Sequence, residues 1–211
     1  MKLVFLHGLG QTATSWDAVQ QRLSMDSENI VALELFDSFS ANDTITLNML
    51  DDVVSAKIAN IQEPFVLCGL SLGAILTLKQ ATRTTPFLKG IIVSAAQFET
   101  PNRVLLAFQN TIFRLLPNTS FLQFGLSKKQ TLQLMGSLST LNMREEITKI
   151  ALPTLILCGE KDHPNLPAAK KLRSIIPHST LQIIADGKHE LNIEQPIPFA
   201  ILIDSFLKSL A

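Results

Sequence analysis

Apolar residues along this chain follow two rhythms. Six short runs, at residues 2–6, 30–35, 65–68, 90–94, 154–158 and 180–184, are mostly continuous in apolar character rather than alternating. Runs of that length and kind suit strands buried on both faces. Between them lie stretches with helical spacing. Residues 16–25 place Trp16, Val19 and Leu23 on one side, and residues 44–61 place Ile45, Met49, Val53 and Ile58 on one stripe. Residues 72–82, 166–176 and 196–210 complete the helical set. Strand and helix in alternation predict a three-layer α/β/α fold around a mostly parallel sheet of about six strands.

The rhythm breaks between residue 97 and about residue 150. This stretch has helical patterns and no convincing strand, and it holds Phe98, Phe108, Phe113, Phe121 and Phe124. It is longer than a simple crossover. The expectation is a helical cap insertion, residues 97–146, within a single domain spanning residues 1–211. Most of its aromatics are expected to pack the insertion's own small core. A few, with Phe98, Phe108 and Phe113 as candidates, are expected to line a pocket. Arg103, Arg114, Lys128 and Lys129 in the same stretch read as solvated surface.

Composition narrows the function classes. The chain has 211 residues, 46% hydrophobic and 17% charged, which fits one folded domain with a sizeable core. Formal net charge is zero. That gives no electrostatic case for nucleic acid or for an acidic membrane surface. The first apolar run is too short for a signal peptide or a membrane span, so a cytoplasmic enzyme is the expectation. Cys68 and Cys158 each end a predicted core strand and read as buried free thiols. No His/Cys/Asp cluster has metal-ligand spacing, so no metal and no cofactor is expected.

One motif carries chemistry. Gly69-Leu70-Ser71-Leu72-Gly73 follows the run Pro64-Phe65-Val66-Leu67-Cys68 and opens a helical stretch. A serine at a sharp strand-to-helix turn is lifted out of the sheet and set near a helix N-terminus, where developing negative charge is favoured. A serine hydroxyl needs a base, and the base needs an orienting acid. His189 sits just past the last predicted strand, at the sheet edge that also carries Ser71, whereas His178 precedes that strand and reads as an exposed turn residue. Asp162 follows the fifth run and is the favoured acid. Glu160 and Glu99 are weaker candidates, and Asp186 reads as a turn-former. His163 is expected near the site mouth as a substrate contact. An oxyanion also needs donors. The N–H of Leu72 and that of Leu9, in the loop His7-Gly8-Leu9-Gly10, are the choices, with His7 holding that loop.

These residues resemble the α/β-hydrolase fold superfamily. The resemblance rests on Leu6-His7-Gly8-Leu9-Gly10, Gly69-Leu70-Ser71-Leu72-Gly73, Pro153 to Asp162 and Gly187-Lys188-His189, and it covers nearly the whole chain. The order Ser…Asp…His is the family's order. In that family the oxyanion loop follows the third of eight strands, whereas here it follows the first. The resemblance therefore implies a short form lacking the first two strands, with strand order 2-1-3-4-5-6. The order reverses beside the loops of Leu9 and Ser71, where an open α/β sheet binds ligands.

The expected function is a serine hydrolase, carboxylesterase-like, acting on a small-molecule ester with a small to medium apolar group. Ser71, His189 and Asp162 would be catalytic, and Leu9 and Leu72 would form the oxyanion hole. Partners are expected to include neither nucleic acid nor membrane, and the protein is expected as a monomer or homodimer. Capped relatives suggest a first alternative, a carbon–carbon hydrolase or small-acid lyase of the menaquinone-pathway type. A non-enzymatic ligand-binding or sensor protein is the alternative from another class. A carboxylate would be needed at Ser71 for dehalogenation.

Overall fold

The strands run Lys2–Leu6 (β1), Ile30–Leu33 (β2), Phe65–Leu70 (β3), Leu88–Ser94 (β4), Thr154–Gly159 (β5) and Ser179–Ile184 (β6). The coordinates come from a computed structural model that describes residues 1–40, 42–83, 85–100 and 125–210. The strands form one sheet in the order β2-β1-β3-β4-β5-β6, the order expected, and every neighbouring pair is parallel.

Alternate residues of each strand serve opposite faces, as a two-residue period requires. Val4, Leu67, Ile91 and Ile156 join one core, against the helices Leu47–Ala59 (α2) and Leu72–Ala81 (α3). Phe5, Val66, Ile92 and Leu155 join the other. That second core is closed by a 3-10 turn, Ala13–Trp16, the short helix Asp17–Gln20 (α1) and a long C-terminal helix. Trp16 stacks on Phe5 with ring centroids 4.4 Å apart and meets Phe199 edge-on. Both faces of the sheet are therefore dry, which is why the central strands read as unbroken apolar runs. The edge strand β6 departs from that reading, because Thr180, Gln182 and Ile183 are exposed.

Two helices differ from their expected form. The stretch predicted at 16–25 contracts to the 3-10 turn and α1, with Leu23 only partly buried. In α2 the buried stripe is Leu47, Leu50, Val54 and Ile58, while Met49 is 38% exposed. The Thr46 hydroxyl accepts the Met49 N–H and caps the helix, so the helical phase starts at Leu47. Ile45, at one end of the expected stripe, lies outside the helix.

Beyond β4 the described residues hold the helices Lys128–Leu138 (α4) and Arg144–Ile147 (α5). Glu99 and Asn142 form an isolated antiparallel bridge, and the Met143 N–H donates to Phe98 O at 2.8 Å, so the two ends of the stretch are tied together. Ser127 and Gln130 cap α4 reciprocally, and Gln130 Nε2 donates to Ser40 O at 2.8 Å. Phe98, Leu126, Leu134 and Met143 belong to the main core rather than to a small core of their own. Among the aromatics expected in the insertion, Phe108, Phe113, Phe121 and Phe124 lie outside the described residues, as do Arg103 and Arg114. The chain then continues through Leu166–Ile175 (α6), Leu191–Glu194 (α7) and Pro196–Ser209 (α8).

Candidate active site

A parallel sheet gathers the loops that leave its strands at one edge. Leu9 lies three residues past β1, Ser71 directly follows β3, Asp162 lies three residues past β5, and His189 five residues past β6. Four distant parts of the sequence thus converge.

Ser71 occupies a left-handed backbone conformation, φ 54° and ψ −112°. Such a conformation costs a non-glycine residue about 1–3 kcal/mol and persists only where neighbours enforce it. Its N–H donates to Ser94 O at 2.9 Å, anchoring the turn to β4. Glycines make the turn possible. A Cβ on Gly69 would sit 2.2 Å from Gly73 O, and one on Gly73 would sit 2.1 Å from Leu6 O. The loops after β5 and β6 press together in the same way, with a Cβ on Gly159 falling 2.3 Å from Gly187 O.

This packing brings three side chains into line. His189 Nε2 lies 3.1 Å from Ser71 Oγ, and His189 Nδ1 lies 3.1 Å from Asp162 Oδ2. With the proton on Nδ1 donated to Asp162, Nε2 is free to accept the Ser71 hydroxyl hydrogen. The Asp162 side chain is 3% exposed and that of His189 is 45% exposed, so the acid is sealed and the base meets solvent. The hydrogen bond to Asp162 holds the imidazole above its ordinary pKa against the opposing effect of burial; the charges of Asp162, Glu190 and Glu194 act in the same upward direction.

Among the described residues, neither the Leu9 N–H nor the Leu72 N–H has an acceptor within the protein. Gly8 lies beside the serine, since a Cβ built on it would come within 3.5 Å of Ser71 Cβ. His7 is fully buried. Its Nδ1 lies 2.9 Å from Gly8 O, and its Nε2 lies 2.8 Å from Glu34 Oε1 and 3.1 Å from the Leu35 nitrogen. Those contacts fasten the Gly8–Gly10 loop to the segment following β2.

Phe98 is 1% exposed with Lys171 Nζ 5.7 Å from its ring centre, so its ring offers almost no surface to a ligand. His163 is exposed, and so is His178 before β6. Glu99 is engaged by Arg144 at 3.1 Å and Lys171 at 2.5 Å. Glu160 accepts the Asp186 N–H, and Asp186, with φ 57°, pairs with Lys161 at 2.7 Å. Phe108 and Phe113 lie outside the described residues.

Sequence reading missed four amides beside the site: Gln11, Gln97, Asn165 and Asn192. Asn165 Nδ2 reaches both oxygens of Asp162, at 2.8 and 2.9 Å. Gln11 and Asn192 bond to each other between the Leu9 loop and α7, the short helix directly after the His189 loop. Among the described residues, no three His, Cys, Asp or Glu side chains could hold a metal ion. Among the same residues, no helix is long and apolar enough to cross a membrane.

A sequence model of the alpha/beta hydrolase family matches residues 3–201. The chain belongs to the alpha/beta hydrolase family. Among curated proteins it is 26% identical to the "Biotin biosynthesis bifunctional protein BioHC" of Cellvibrio japonicus, covering 99% of this chain and 48% of that protein. The matches span about half, or less, of the length of the curated relatives. Among solved structures, MenH from S. aureus superposes with a TM-score of 0.82 at 18% identity, covering 100% of this chain and 94% of that one. A thermophilic esterase from Thermogutta terrifontis superposes with a TM-score of 0.78 at 17% identity, covering 100% of this chain and 90% of that one. At such identities the likeness is one of fold. Membership of the family rests on the sequence match over residues 3–201, and a shared fold does not fix the reaction.

Proposed function

We propose that this alpha/beta hydrolase cleaves carboxylic esters through an acyl-enzyme formed on Ser71. The observation that carries the reading is the pair of 3.1 Å contacts that His189 makes, one to Ser71 Oγ and one to Asp162 Oδ2. Both lie within the reach a general base needs.

Ser71 Oγ attacks the ester carbonyl while its proton passes to His189 Nε2. Asp162 holds the Nδ1–H and stabilises the imidazolium. The carbonyl oxygen becomes an oxyanion, received by the N–H groups of Leu9 and Leu72. His189 then returns the proton to the departing alkoxide, and the alcohol leaves. In the second half His189 takes a proton from water, the hydroxyl attacks the acyl carbon, and Ser71 recovers its hydrogen as the acid departs. Removing one oxyanion donor typically costs about 3 kcal/mol of barrier. The substrate is a small molecule with a small to medium apolar group.

The test is turnover of p-nitrophenyl esters of graded acyl length, together with labelling by a fluorophosphonate. Hydrolysis with covalent labelling at Ser71 is expected, and both are expected to vanish in Ser71→Ala. Retention of both in that variant would remove the proposal.

A further inference from the structure

Asn165 stands at the N-cap position of α6, where an asparagine side chain ordinarily accepts a backbone N–H of the first turn. Here it makes no such bond. Pro167, in the first turn, has no N–H to satisfy, which lessens the need for a cap. The side chain turns instead toward Asp162. Nδ2 lies 2.8 Å from Oδ1 and 2.9 Å from Oδ2, so the contact spans the carboxylate nearly symmetrically. Asn165 is 7% exposed and Asp162 is 4% exposed, so water competes little for these bonds.

The amide is itself oriented. Gln97, in the loop after β4, donates from Nε2 to Asn165 Oδ1 at 2.7 Å. With Oδ1 occupied as an acceptor, Nδ2 must face the acid. The same Nδ2 lies 3.1 Å from His189 Nδ1. When Nδ1 carries its proton these two groups are both donors, so both send hydrogen to the carboxylate between them. Among the described residues, Asn165 and His189 are the only side chains that hydrogen-bond the Asp162 carboxylate.

We propose that Asn165 is a positioning residue, its amide aligned by Gln97 so that it fixes the rotation of the Asp162 carboxylate toward His189 Nδ1. The inference rests on the ester-hydrolase reading of the same site. Without the amide, Asp162 is held by the imidazole alone, and its acceptor capacity is no longer shared. Two consequences follow. The carboxylate can turn away from the productive angle, which lowers turnover without touching ester binding. The imidazolium also has the acid to itself, which moves the acid limb of the rate profile to higher pH. The other charged groups acting on His189 are Glu190 and Glu194, and neither is altered by changes at residue 165.

The experiment compares the wild-type chain with Asn165→Ala, Asn165→Ser, Gln97→Ala and Ser71→Ala, using p-nitrophenyl acetate. Serine is as good an N-cap as asparagine, so Asn165→Ser keeps the start of α6 while losing the reach of the amide. Both changes at residue 165 are expected to lower kcat by about tenfold to a hundredfold with KM little changed, and to shift the acid limb upward. Gln97→Ala is expected to do the same to a smaller degree. If Asn165→Ala fails to fold, Asn165→Ser decides. Wild-type kcat and an unmoved acid limb in Asn165→Ser and Gln97→Ala, with Ser71→Ala inactive, would overturn the positioning role alone. Activity surviving in Ser71→Ala would instead overturn the hydrolase reading beneath it.

Discussion

Gln11 and Asn192 hydrogen-bond to each other twice, across 181 positions of sequence. Gln11 Nε2 donates to Asn192 Oδ1 at 3.2 Å, and Asn192 Nδ2 donates to Gln11 Oε1 at 3.2 Å. Both side chains are buried, at 4% and 0% exposure. Gln11 also accepts the Gly8 N–H and donates to Glu190 Oε1 at 2.9 Å, while Asn192 donates to Ser15 O. The pair therefore joins the loop that carries Leu9 to α7, the short helix directly after the His189 loop.

Removing one member strands the other inside the protein. A buried amide left without its partner costs about 1–3 kcal/mol. Gln11→Ala and Asn192→Ala are each expected to lower the unfolding free energy by about that much. The double variant is expected to lose less than the sum, because contacting residues couple by about 0.5–3 kcal/mol. Urea unfolding of the three variants checks this, and strict additivity would show that the two amides do not act as a unit.

The raised pKa of His189 sets the sign of the pH response. The base must be neutral at Nε2 to accept the serine proton, so kcat/KM should rise with pH through a midpoint above the ordinary histidine value of about 6.5. Asp162→Asn removes both the hydrogen-bonded acceptor and its charge. Its midpoint should fall, and turnover should drop by up to about 10⁴-fold. Stability follows the opposite course. A group whose folded pKa is raised stabilises the protein fully below its unfolded pKa, and that contribution is lost as pH rises through the folded value. Unfolding free energies of wild type and Asp162→Asn should therefore converge as pH climbs past the activity midpoint. A midpoint at or below 6.5 in the wild type would contradict the assignment.

Much of this arrangement could be read from the chain because it follows from topology. The continuous apolar runs marked the buried strands, and a parallel sheet necessarily gathers their C-terminal loops, so the meeting of Ser71, Asp162 and His189 at one edge was legible. Phase within a helix was less so. A stripe through Ile45 fits the apolar spacing, and only the Thr46 cap sets the start of the helix at Leu47. The buried Asp51 on that stripe was invisible for a related reason. It is matched by Lys79 and Gln80 on α3 and by Arg83 just past its end, and nothing local announces partners so far along the chain. The amides at Gln11, Gln97, Asn165 and Asn192 were missed on the same ground. Gln11 meets Asn192 and Gln97 meets Asn165 across long stretches of sequence; Asn165 lies only three residues from Asp162, but an asparagine before a helix reads as a cap whether or not it caps.

The two cysteines should be inert in the folded protein. Burial pushes the Cys158 thiol up to about 12, with the nearby Asp162 charge adding to the effect, and burial alone pushes Cys68 well above its ordinary range. The thiolate is the reactive form, so at pH 8 only about one Cys158 in ten thousand would be ionised. Iodoacetamide should leave the native protein largely unlabelled and modify both cysteines quickly in urea. Fast labelling without denaturant, read by mass spectrometry, would show that one of the thiols is accessible.

Gly69 and Gly73 should tolerate no side chain, for a reason that separates them from Gly187. A methyl group on Gly69 meets the carbonyl of Gly73 at 2.2 Å, and one on Gly73 meets the carbonyl of Leu6 at 2.1 Å. Both obstacles are backbone, fixed by β1 and by the first turn of α3, so neither can swing aside. The nearest obstacle to a methyl on Gly187 is the Leu191 Cδ2 atom at 2.4 Å, the far end of a side chain that can change rotamer. Gly69→Ala and Gly73→Ala should each destabilise the fold by about 3 kcal/mol or more, at the upper end of single substitutions, and displace Ser71 from His189. Gly187→Ala should cost about 1–3 kcal/mol through overpacking alone. Thermal unfolding, read beside fluorophosphonate labelling, distinguishes them. Labelling should be lost in the first two even where folded protein remains, and retained in the third. Unimpaired labelling of Gly73→Ala would mean that the turn at Ser71 does not depend on its close approach to β1.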